Sequence, residues 1–309
     1  MKIFVTGGTG FIGPHVLDAL MADGHEILLL VRKGEDVTRG REWSKLSMVE
    51  GNLANVHAWA KRVAQFRPTA CVHMAWEGIP DYGPESGLRN LIYGFSLIRT
   101  MGEMGCGKIL VTGSCWEYGM GSGRVREDMP VYPRSAFSAA KNALHFMGGE
   151  LAELHGMQLT WGRLFYVYGP GQKRSCLIPS IIDCVKKNRV PVVKTPAACH
   201  DFIYVCDVAE AICGLLKKGT AGAYNIGSGK KVRVSEVAKY IYKELRATCP
   251  RSLAKAARNG EQRAGPGEIW ADIGKIRRET GWTPKTCIEE GIHRTIIHTG
   301  LAVLRSQDG

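Results

Sequence analysis

The sequence of 309 residues contains no long apolar stretch of the kind found in membrane proteins, and we expect no export leader. No apolar run approaches the roughly 18 residues that a membrane-spanning helix needs. The first apolar run, Ile3 to Val5, ends at Thr6 and two glycines, so it is too short for the core of a signal peptide. We therefore expect a cytoplasmic protein without a membrane partner.

Paired cysteines with the spacing of a metal or redox motif are also missing. The ten cysteines are scattered along the chain without a C-x-x-C pair. No Cys/His cluster has the spacing of zinc ligands. Because no export signal is visible, we expect free thiols in a reducing compartment, many of them as small core residues, and no metal.

Negative charge is in short supply. Lys and Arg number 41 against 29 Asp and Glu, which gives a formal charge of +12. Such an excess suits nucleic acid, an acidic membrane or a small substrate rich in phosphate. The densest stretch, Arg246 to Arg263, has no interleaved aromatic residues on which bases could stack. Only the net charge would therefore support binding of a nucleic acid, and we expect no nucleic-acid partner. A solvated basic face and the attraction of a phosphate-bearing substrate both remain open.

Apolar runs alternate with helical stretches in the first half of the chain. This rhythm predicts a parallel, doubly wound α/β sheet. The predicted strands are 2–6, 26–31, 48–51, 70–74, 108–112 and 158–165, and the predicted helices are 12–23, 56–66, 88–104 and 135–154. After residue 169 the rhythm is irregular, with strands at 201–205 and 223–226 and helices at 208–217, 235–245 and 272–280. Two domains are predicted, 1–169 and 170–309, the second discontinuous with some segments returning to the sheet.

Glycines recur in a G-x-x-G-x-x-G pattern between the first predicted strand and the first predicted helix. Such a loop must turn tightly, let its backbone approach a pyrophosphate and pack the helix against the sheet, and glycine permits all three. The helix N-terminus offers N–H groups to the anion. The pattern therefore predicts a dinucleotide site in the first domain, formed by Gly7, Gly8, Gly10, Phe11, Ile12 and Gly13.

Six further motifs follow this loop in order. They are His73-Met74-Ala75, Gly113-Ser114 with Tyr118-Gly119, Arg163 to Gln172, Asp201 to Ala209, Tyr224 to Gly229, and Gly281-Trp282-x-Pro284-Lys285. With T-G-G-x-G-F-I-G at 6–13, the series resembles the extended short-chain dehydrogenase/reductase family of NAD-dependent epimerase/dehydratase type, over nearly the whole chain. The resemblance implies a Rossmann sheet with a smaller C-terminal substrate-binding lobe and a nucleotide-sugar substrate. It also implies a homodimer paired through helices 88–104 and 135–154.

The second strand ends without the carboxylate that NAD-selective members of this family place there. Arg32 and Lys33 occupy the strand end instead. A carboxylate would repel a 2′-phosphate, whereas two cations could pair with it. We therefore expect NADP(H), with NAD as the alternative if the two cations are ordinary surface residues. The resemblance places Asn52 and Leu53 near the adenine, Ala75 against the cofactor and Lys141 at the nicotinamide ribose.

The family's chemistry needs a hydroxyl, a Tyr, and a Lys four residues after that Tyr. Ser114 and Lys141 match the first and the last, but Phe137 stands at the Tyr position and has no proton to give. Three explanations are open: an engineered Tyr→Phe variant, a natural subgroup with another proton donor, or a degenerate enzyme that binds a dinucleotide without turnover. Tyr166 is the preferred substitute, and the weaker options are Cys115, Glu117, Tyr132 and His145.

The residues after Ser114 also bear on the reaction. Dehydratases of the family carry Asp-Glu there, whereas this chain has Cys115 and Trp116, which disfavours dehydration. The expected NADPH favours a reductase of a nucleotide-bound 4-keto-6-deoxyhexose, as in polysaccharide biosynthesis, over an epimerase with tightly held NAD. A binding protein without activity is the alternative from another class. Substrate contacts are expected from Trp76, Ser114, Tyr166, Lys173, Arg174, His200 and Arg263.

Overall fold

The computed structural model describes residues 1–35, 43–253 and 268–305, with side chains up to residue 299. The strands are β1 (Lys2–Thr6), β2 (Glu26–Val31), β3 (Leu46–Glu50), β4 (Ala70–His73), β5 (Lys108–Ser114), β6 (Gly123–Val125), β7 (Gln158–Leu164), β8 (Tyr166–Tyr168), β9 (Cys199–His200), β10 (Phe202–Tyr204), β11 (Gly222–Ile226), β12 (Val232–Arg233) and β13 (Ile269–Ala271). The helices are α1 (Gly13–Ala22), α2 (His57–Phe66), α3 (Pro84–Glu103), α4 (Ala136–Leu154), α5 (Leu177–Lys186), α6 (Val205–Lys218), α7 (Val234–Glu244), α8 (Gly274–Thr280) and α9 (Ile288–Arg305).

Seven parallel strands form the central sheet in the order β3-β2-β1-β4-β5-β7-β11. Ile3 in β1 pairs with Ile27 on one side and with Ala70 on the other. The central strands are buried on both faces, which is why they are recognisable as continuous apolar runs. The predicted doubly wound α/β fold is confirmed. The order reverses between β1 and β4, and sheets of this kind bind ligands in the crevice beyond such a reversal.

Helices cover both faces of the sheet. On one face α1 and α6 pack through Val16, Leu20, Val208 and Ile212 in one core cluster. On the other face α2, α3 and α4 contribute to a second cluster that includes Trp59, Leu97 and Leu144. The crevice at the carboxyl ends of the strands is thus framed by two packed layers.

Three two-stranded sheets and a third apolar cluster organise much of the rest. β8 pairs with β10 in parallel, β9 pairs with β12 antiparallel, and β6 pairs with β13 in parallel. Ile178 and Ile181 of α5 pack with Val237 and Ile241 of α7. The chain returns to the central sheet after residue 170, because β11 pairs with β7. The division at residue 169 stays a prediction.

Several elements differ from the sequence prediction. α3 begins at Pro84, where a proline pre-sets the first helical turn, and not at residue 88. α6 begins at Val205, three residues early. Of the short paired strands only β10 was predicted, within 201–205, and α5 and α9 were not predicted. All ten cysteines are free thiols. Within the described ranges no helix is long and apolar enough to cross a membrane.

Candidate active site

The loop between β1 and α1 lies directly against the segment that follows β4. Gly7 has a φ of +79°, and a Cβ there would lie 2.5 Å from the backbone nitrogen of Ala75. A Cβ on Gly13 would lie 2.3 Å from the carbonyl oxygen of Gly8. A Cβ on Gly10 would meet only the Gly7 oxygen, at 3.3 Å. Gly7 and Gly13 therefore permit close packing, and Gly10 leaves an open side to the loop.

The N-terminus of α1 adds donors to this loop. Its N-cap, Ile12, makes no side-chain capping hydrogen bond, and its first turn contains no acidic residue. Uncapped N–H groups and the positive end of the helix dipole favour an anion. Phe11 and Ile12 are half-buried, and Ile12 packs against the core beneath. This loop fits the pyrophosphate of a dinucleotide.

The end of β2 carries a carboxylate that sequence reasoning missed. Glu35 accepts hydrogen bonds from Thr9 Oγ1 at 2.9 Å and from Arg32 Nε at 2.7 Å. The Glu35 N–H donates to the Arg32 carbonyl at 3.1 Å, and Gly34 has a φ of +78°, so a tight turn folds Glu35 back to the glycine loop. Burial opposes ionisation, but the hydrogen bonds from Arg32 and Thr9 hold the pKa of Glu35 below its ordinary value. The group is a carboxylate at neutral pH.

The predicted adenine contacts lie near the same strand end. A cleft of about 320 Å³ is lined by Arg32, Lys33, Glu50, Gly51 and Asn52. Asn52 Oδ1 accepts from the backbone N–H of Asn55 at 3.0 Å, which fixes a turn. Leu53 packs against the second core cluster. The structure brings Arg32, Lys33 and Asn52 to one cleft, and Leu53 supports the turn from below.

Ser114 ends β5 and caps a 3₁₀ turn, Cys115–Tyr118. Its Oγ accepts from the Trp116 N–H at 3.2 Å. Its backbone N–H donates to Glu117 Oε1 at 2.7 Å. The turn therefore fixes Ser114 from both its side chain and its backbone.

Glu117 is fully buried and closed in by donors. It is 0% exposed and accepts from Trp161 Nε1 at 3.0 Å and from Arg163 Nε at 2.9 Å. Arg163, 2% exposed, also donates to the Tyr118 hydroxyl at 3.0 Å. The Glu117–Arg163 ion pair thus anchors the turn that carries Ser114.

Phe137 lies in the first turn of α4 and is only 8% exposed. Its ring centroid is 5.3 Å from that of Trp76, 5.2 Å from Tyr82 and 5.8 Å from Trp116, all edge-on. We call these four residues the aromatic cluster. Trp76 was predicted at the sugar; Tyr82 was not considered, because no motif marks the segment between β4 and α3.

Lys141 follows Phe137 by one helical turn. Its Nζ lies 4.0 Å from the Trp76 ring centroid and 5.9 Å from that of Phe137. It donates to the Thr112 carbonyl at 2.5 Å. Burial lowers the pKa of Lys141 to about 7, against the opposing charge of Glu117. The Lys141 amine therefore lies against the aromatic cluster and places a cation there in its protonated form.

Tyr166, the preferred substitute for the missing proton donor, contacts His200 and accepts a hydrogen bond from Trp116. Its ring centroid lies 4.2 Å from that of His200. Burial and the nearby Cys115 raise its pKa to about 12, despite a hydrogen bond from Trp116. His200 is half-buried, and its Nδ1 has no hydrogen-bond partner among the described residues. Tyr166 and His200 form a pair next to the aromatic cluster.

In the described part of the chain, the Phe137 ring makes no ring contact with Tyr132 or His145. Burial raises the pKa of the Cys115 thiol, and Tyr132 is exposed. His145 stacks on Trp161 with centroids 4.9 Å apart. Among the predicted substrate cations, Lys173 donates to the Ile79 carbonyl at 2.6 Å, and Arg174 is exposed. Arg263 lies outside the described residues.

Two relatives match most of the chain. Protein CapI of Staphylococcus aureus is 24% identical over 333 aligned positions, covering 96% of this chain and 97% of CapI. The dTDP-6-deoxy-L-talose 4-dehydrogenase (NAD(+)) of Aggregatibacter actinomycetemcomitans is 25% identical over 235 positions, covering 74% and 85%.

Solved structures and a family description agree with the fold. UDP-glucose 4-epimerase of Thermotoga maritima, solved with UDP-glucose, has a TM-score of 0.83 at 21% identity, covering 98% of this chain and 100% of that one. The dTDP-glucose 4,6-dehydratase of Bacillus anthracis, solved with NAD, has a TM-score of 0.82 at 22% identity, covering 97% of both. Residues 3–227 match the sequence model of the NAD dependent epimerase/dehydratase family. The chain therefore belongs to the NAD-dependent epimerase/dehydratase family.

Proposed function

We propose that the protein is an oxidoreductase that reduces the 4-keto group of a nucleotide-activated 6-deoxy sugar. The Ser114 hydroxyl and the Lys141 ammonium are available to orient a carbonyl oxygen and to stabilise charge beside it. The relative from Aggregatibacter is named as an NAD(+)-dependent 4-dehydrogenase of a nucleotide-bound 6-deoxy sugar, and the proposed reduction is the reverse of that type of reaction, which supports this choice. Ser114, Phe137 and Lys141 would form the catalytic edge.

The observation that carries the proposal is the confinement of Glu117. Elimination of water from a sugar needs a carboxyl group that can exchange protons with the substrate. Glu117, the carboxylate nearest to Ser114 in sequence, already accepts from Ser114, Trp161 and Arg163. This geometry supports hydride and proton transfer in preference to dehydration.

The phenols near the site are protonated at neutral pH. Reduction requires an acid at the carbonyl oxygen, whereas oxidation, the first step of epimerisation, requires a base for a hydroxyl proton. Burial raises the pKa of Tyr82 and raises that of Tyr166 to about 12. Both phenols therefore keep their protons at neutral pH, which is the form that reduction uses.

For the cofactor we propose NAD in preference to NADP. The open side at Gly10 and the uncapped helix fit a dinucleotide, which supplies the hydride when bound in its reduced form. The Glu35 carboxylate lies between Thr9 and Arg32, suited to accept from ribose hydroxyls and to repel a 2′-phosphate. The NADP(H) expectation from Arg32 and Lys33 would require Arg32 to leave Glu35.

Glu35→Gln tests this choice without any sugar. We expect the protein to bind NADH about tenfold or more tightly than NADPH in calorimetric titrations, a difference of about 1.4 kcal/mol. The variant should lose most of that preference because the repulsion of the 2′-phosphate is gone. Glu26→Gln, at the exposed start of β2, is the matched control. Tighter binding of NADPH by the unaltered protein would contradict the proposal.

The sugar nucleotide would enter past the cations of the C-terminal half. We propose that Lys173 and Arg174 face its diphosphate, with Trp76, Tyr166 and His200 along the sugar, and that Arg263 contributes charge. The net charge of +12 favours the approach of such a substrate.

The direct test is turnover. The purified protein is incubated with NADH or NADPH and a panel of nucleotide 4-keto-6-deoxy sugars, and the absorbance of the reduced nicotinamide is followed. We expect its loss together with formation of the alcohol. Interconversion of nucleotide sugars without added cofactor would instead support an epimerase, the second candidate, which the NAD-type contacts of Glu35 favour.

Phe137 favours a third candidate, a catalytically impaired dinucleotide-binding protein. Phe137→Tyr separates it from the others. Turnover only in this variant would mean that Phe137 blocks an otherwise competent site, as in an engineered or degenerate enzyme. Turnover in the unaltered chain would show that another group supplies the proton.

We also propose a homodimer. Leu88 and Ile92 on α3, and Phe146 and Met147 on α4, are large exposed apolar residues. Apolar helix faces of this kind favour burial against a second copy. Sedimentation analysis should give twice the chain mass for the unaltered protein and the monomer mass for Ile92→Glu.

A further inference from the structure

The proposed reduction needs a proton donor that Phe137 cannot be. Three aromatic side chains contact the Phe137 ring, and among Trp76, Tyr82 and Trp116 only Tyr82 carries a hydroxyl. We propose that Tyr82, from the segment between β4 and α3, donates the proton to the carbonyl oxygen of the substrate. This inference rests on the proposed function and assigns its missing residue.

The segment that carries Tyr82 is held on two sides. The Asp81 N–H donates to the Gly78 carbonyl at 2.6 Å, and Ser86 Oγ of α3 donates to the Asp81 carbonyl at 3.2 Å. From the other side Lys173 Nζ donates to the Ile79 carbonyl at 2.6 Å. Residues 78–83 are therefore fixed between α3 and the residues after β8.

The ring of Tyr82 contacts both the 3₁₀ turn after Ser114 and the first turn of α4. Its centroid is 5.1 Å from that of Trp116, next to the Ser114 cap, and 5.2 Å from that of Phe137, one turn before Lys141. Tyr82 thus contacts a residue of the turn that Ser114 caps and a residue of the helix that carries Lys141. Its ring lies directly against the side chain that stands at the tyrosine position.

The hydroxyl of Tyr82 is free to meet a ligand. The residue is 37% exposed, and no hydrogen bond joins this hydroxyl to another residue in the described part of the chain. Tyr166 differs, because its hydroxyl takes a hydrogen bond from Trp116. Partial exposure also gives a phenolate at Tyr82 a route to water.

The step balances as follows for a ketone and a reduced nicotinamide dinucleotide. The reduced nicotinamide would supply a hydride, with its two electrons, to the carbonyl carbon and would itself become oxidised, while the oxygen gains negative charge. The Tyr82 O–H bond breaks as the new alcohol O–H bond forms. The Tyr82 phenolate then regains a proton from water. Ser114 orients the oxygen, and the Lys141 cation stabilises the charge that passes between oxygen and phenol.

Four proteins test the assignment: the unaltered chain, Tyr82→Phe, Phe137→Tyr and the double variant. Tyr82→Phe keeps the ring in the cluster and removes only the hydroxyl, so we expect kcat to fall about 10²- to 10⁴-fold, the usual contribution of a general acid. NADH affinity in calorimetry should not change. The double variant should recover activity, because its tyrosine at 137 supplies the proton. Tyr93→Phe, on α3 outside the cluster, controls for loss of a phenol.

The outcomes separate this inference from the proposed function. Unchanged kcat in Tyr82→Phe would overturn the role of Tyr82 and leave the reductase standing. A double variant as inactive as Tyr82→Phe would overturn the assignment, because a tyrosine at 137 would then fail to replace the Tyr82 hydroxyl as the proton donor. The alkaline limb of the kcat profile should move between the unaltered chain and the double variant, as a different phenol titrates. No turnover in any of the four would overturn the reductase and this inference together.

Discussion

The two ends of the crevice are built by different means. At the dinucleotide end, Gly7 and Gly13 leave out side chains so that backbones can touch. At the catalytic end, Glu117 and Arg163 place paired charges in the interior, and Lys141 lies against an aromatic ring. The first end is sensitive to added atoms and the second to lost charge, so each has its own most damaging substitution.

The largest expected effect is the loss of charge at the catalytic end. Glu117→Gln would leave the Arg163 cation buried without its counter-charge, and breaking such a pair costs about 3–5 kcal/mol. We expect a correspondingly lower free energy of unfolding in urea. The double variant Glu117→Gln/Arg163→Met should recover part of the loss.

An exposed ion pair gives the matched control. Asp128→Asn removes the partner of Arg126 at the surface and should change unfolding little. If Glu117→Gln unfolded at the same urea concentration as the unaltered protein, the catalytic end would not depend on its buried charge, and the contrast between the two ends would fail.

Some elements of the fold could be predicted from the sequence and others could not. The bounds of β1 and β2 are predicted without error, because strands buried on both faces are continuous apolar runs. β6, β8 and β13 have three residues each, too few for a periodic signal, whereas β10 lies within the predicted strand 201–205. Helix α5 was missed after the irregular stretch that follows β8.

Within the site, sequence motifs identify residues whose role depends on the local backbone. They miss residues whose role depends on contacts with distant parts of the chain. Gly7 and Gly13 are recognisable because the turn itself requires glycine. Glu35 reaches Thr9 only through the turn at Gly34, and Tyr82 reaches Phe137 only because α3 and α4 pack together. Neither position belongs to a sequence pattern, so only the assembled chain shows their roles.

The second-largest expected effect comes from a substitution that adds a side-chain atom at the dinucleotide end. Gly13→Ala places a Cβ 2.3 Å from the Gly8 oxygen, so the loop must shift, and overpacking of this kind costs about 1–3 kcal/mol. We expect NADH affinity in calorimetry to fall about tenfold or more, because the N–H groups of α1 move. Gly10→Ala is the matched control for stability, since its Cβ has an open side. Gly10→Ala should unfold at the same urea concentration as the unaltered protein. Any loss of its affinity for NADH should come only from contact between the added methyl group and the ligand. Unchanged NADH binding by Gly13→Ala would contradict the proposed loop.

The smallest effect is a difference in acid sensitivity between the ends. Burial, with the charges of Arg163 and Lys275, lowers the pKa of His145 to about 4. The folded protein holds this ring neutral, whereas the unfolded chain takes up a proton near the ordinary value of about 6.5. Its contribution is therefore complete above that pH and is lost as pH falls towards 4, by at most about 1.4 kcal/mol per pH unit. Urea unfolding at a series of pH values should show a shallower decline in His145→Phe, which keeps a ring against Trp161, than in the unaltered protein or in the exposed control His57→Phe.

The dinucleotide end should resist the same acidification. Glu35 has a pKa below its ordinary value, so its carboxylate contacts with Thr9 and Arg32 persist until the pH falls further. His145 instead stacks on Trp161, whose indole donates to Glu117, and acid therefore weakens the support of Ser114 first. Near pH 5 we expect reduced stability together with retained NADH binding. An equal decline in His145→Phe and the unaltered protein would mean that other groups govern acid unfolding, and that the catalytic end is not the more acid-sensitive of the two.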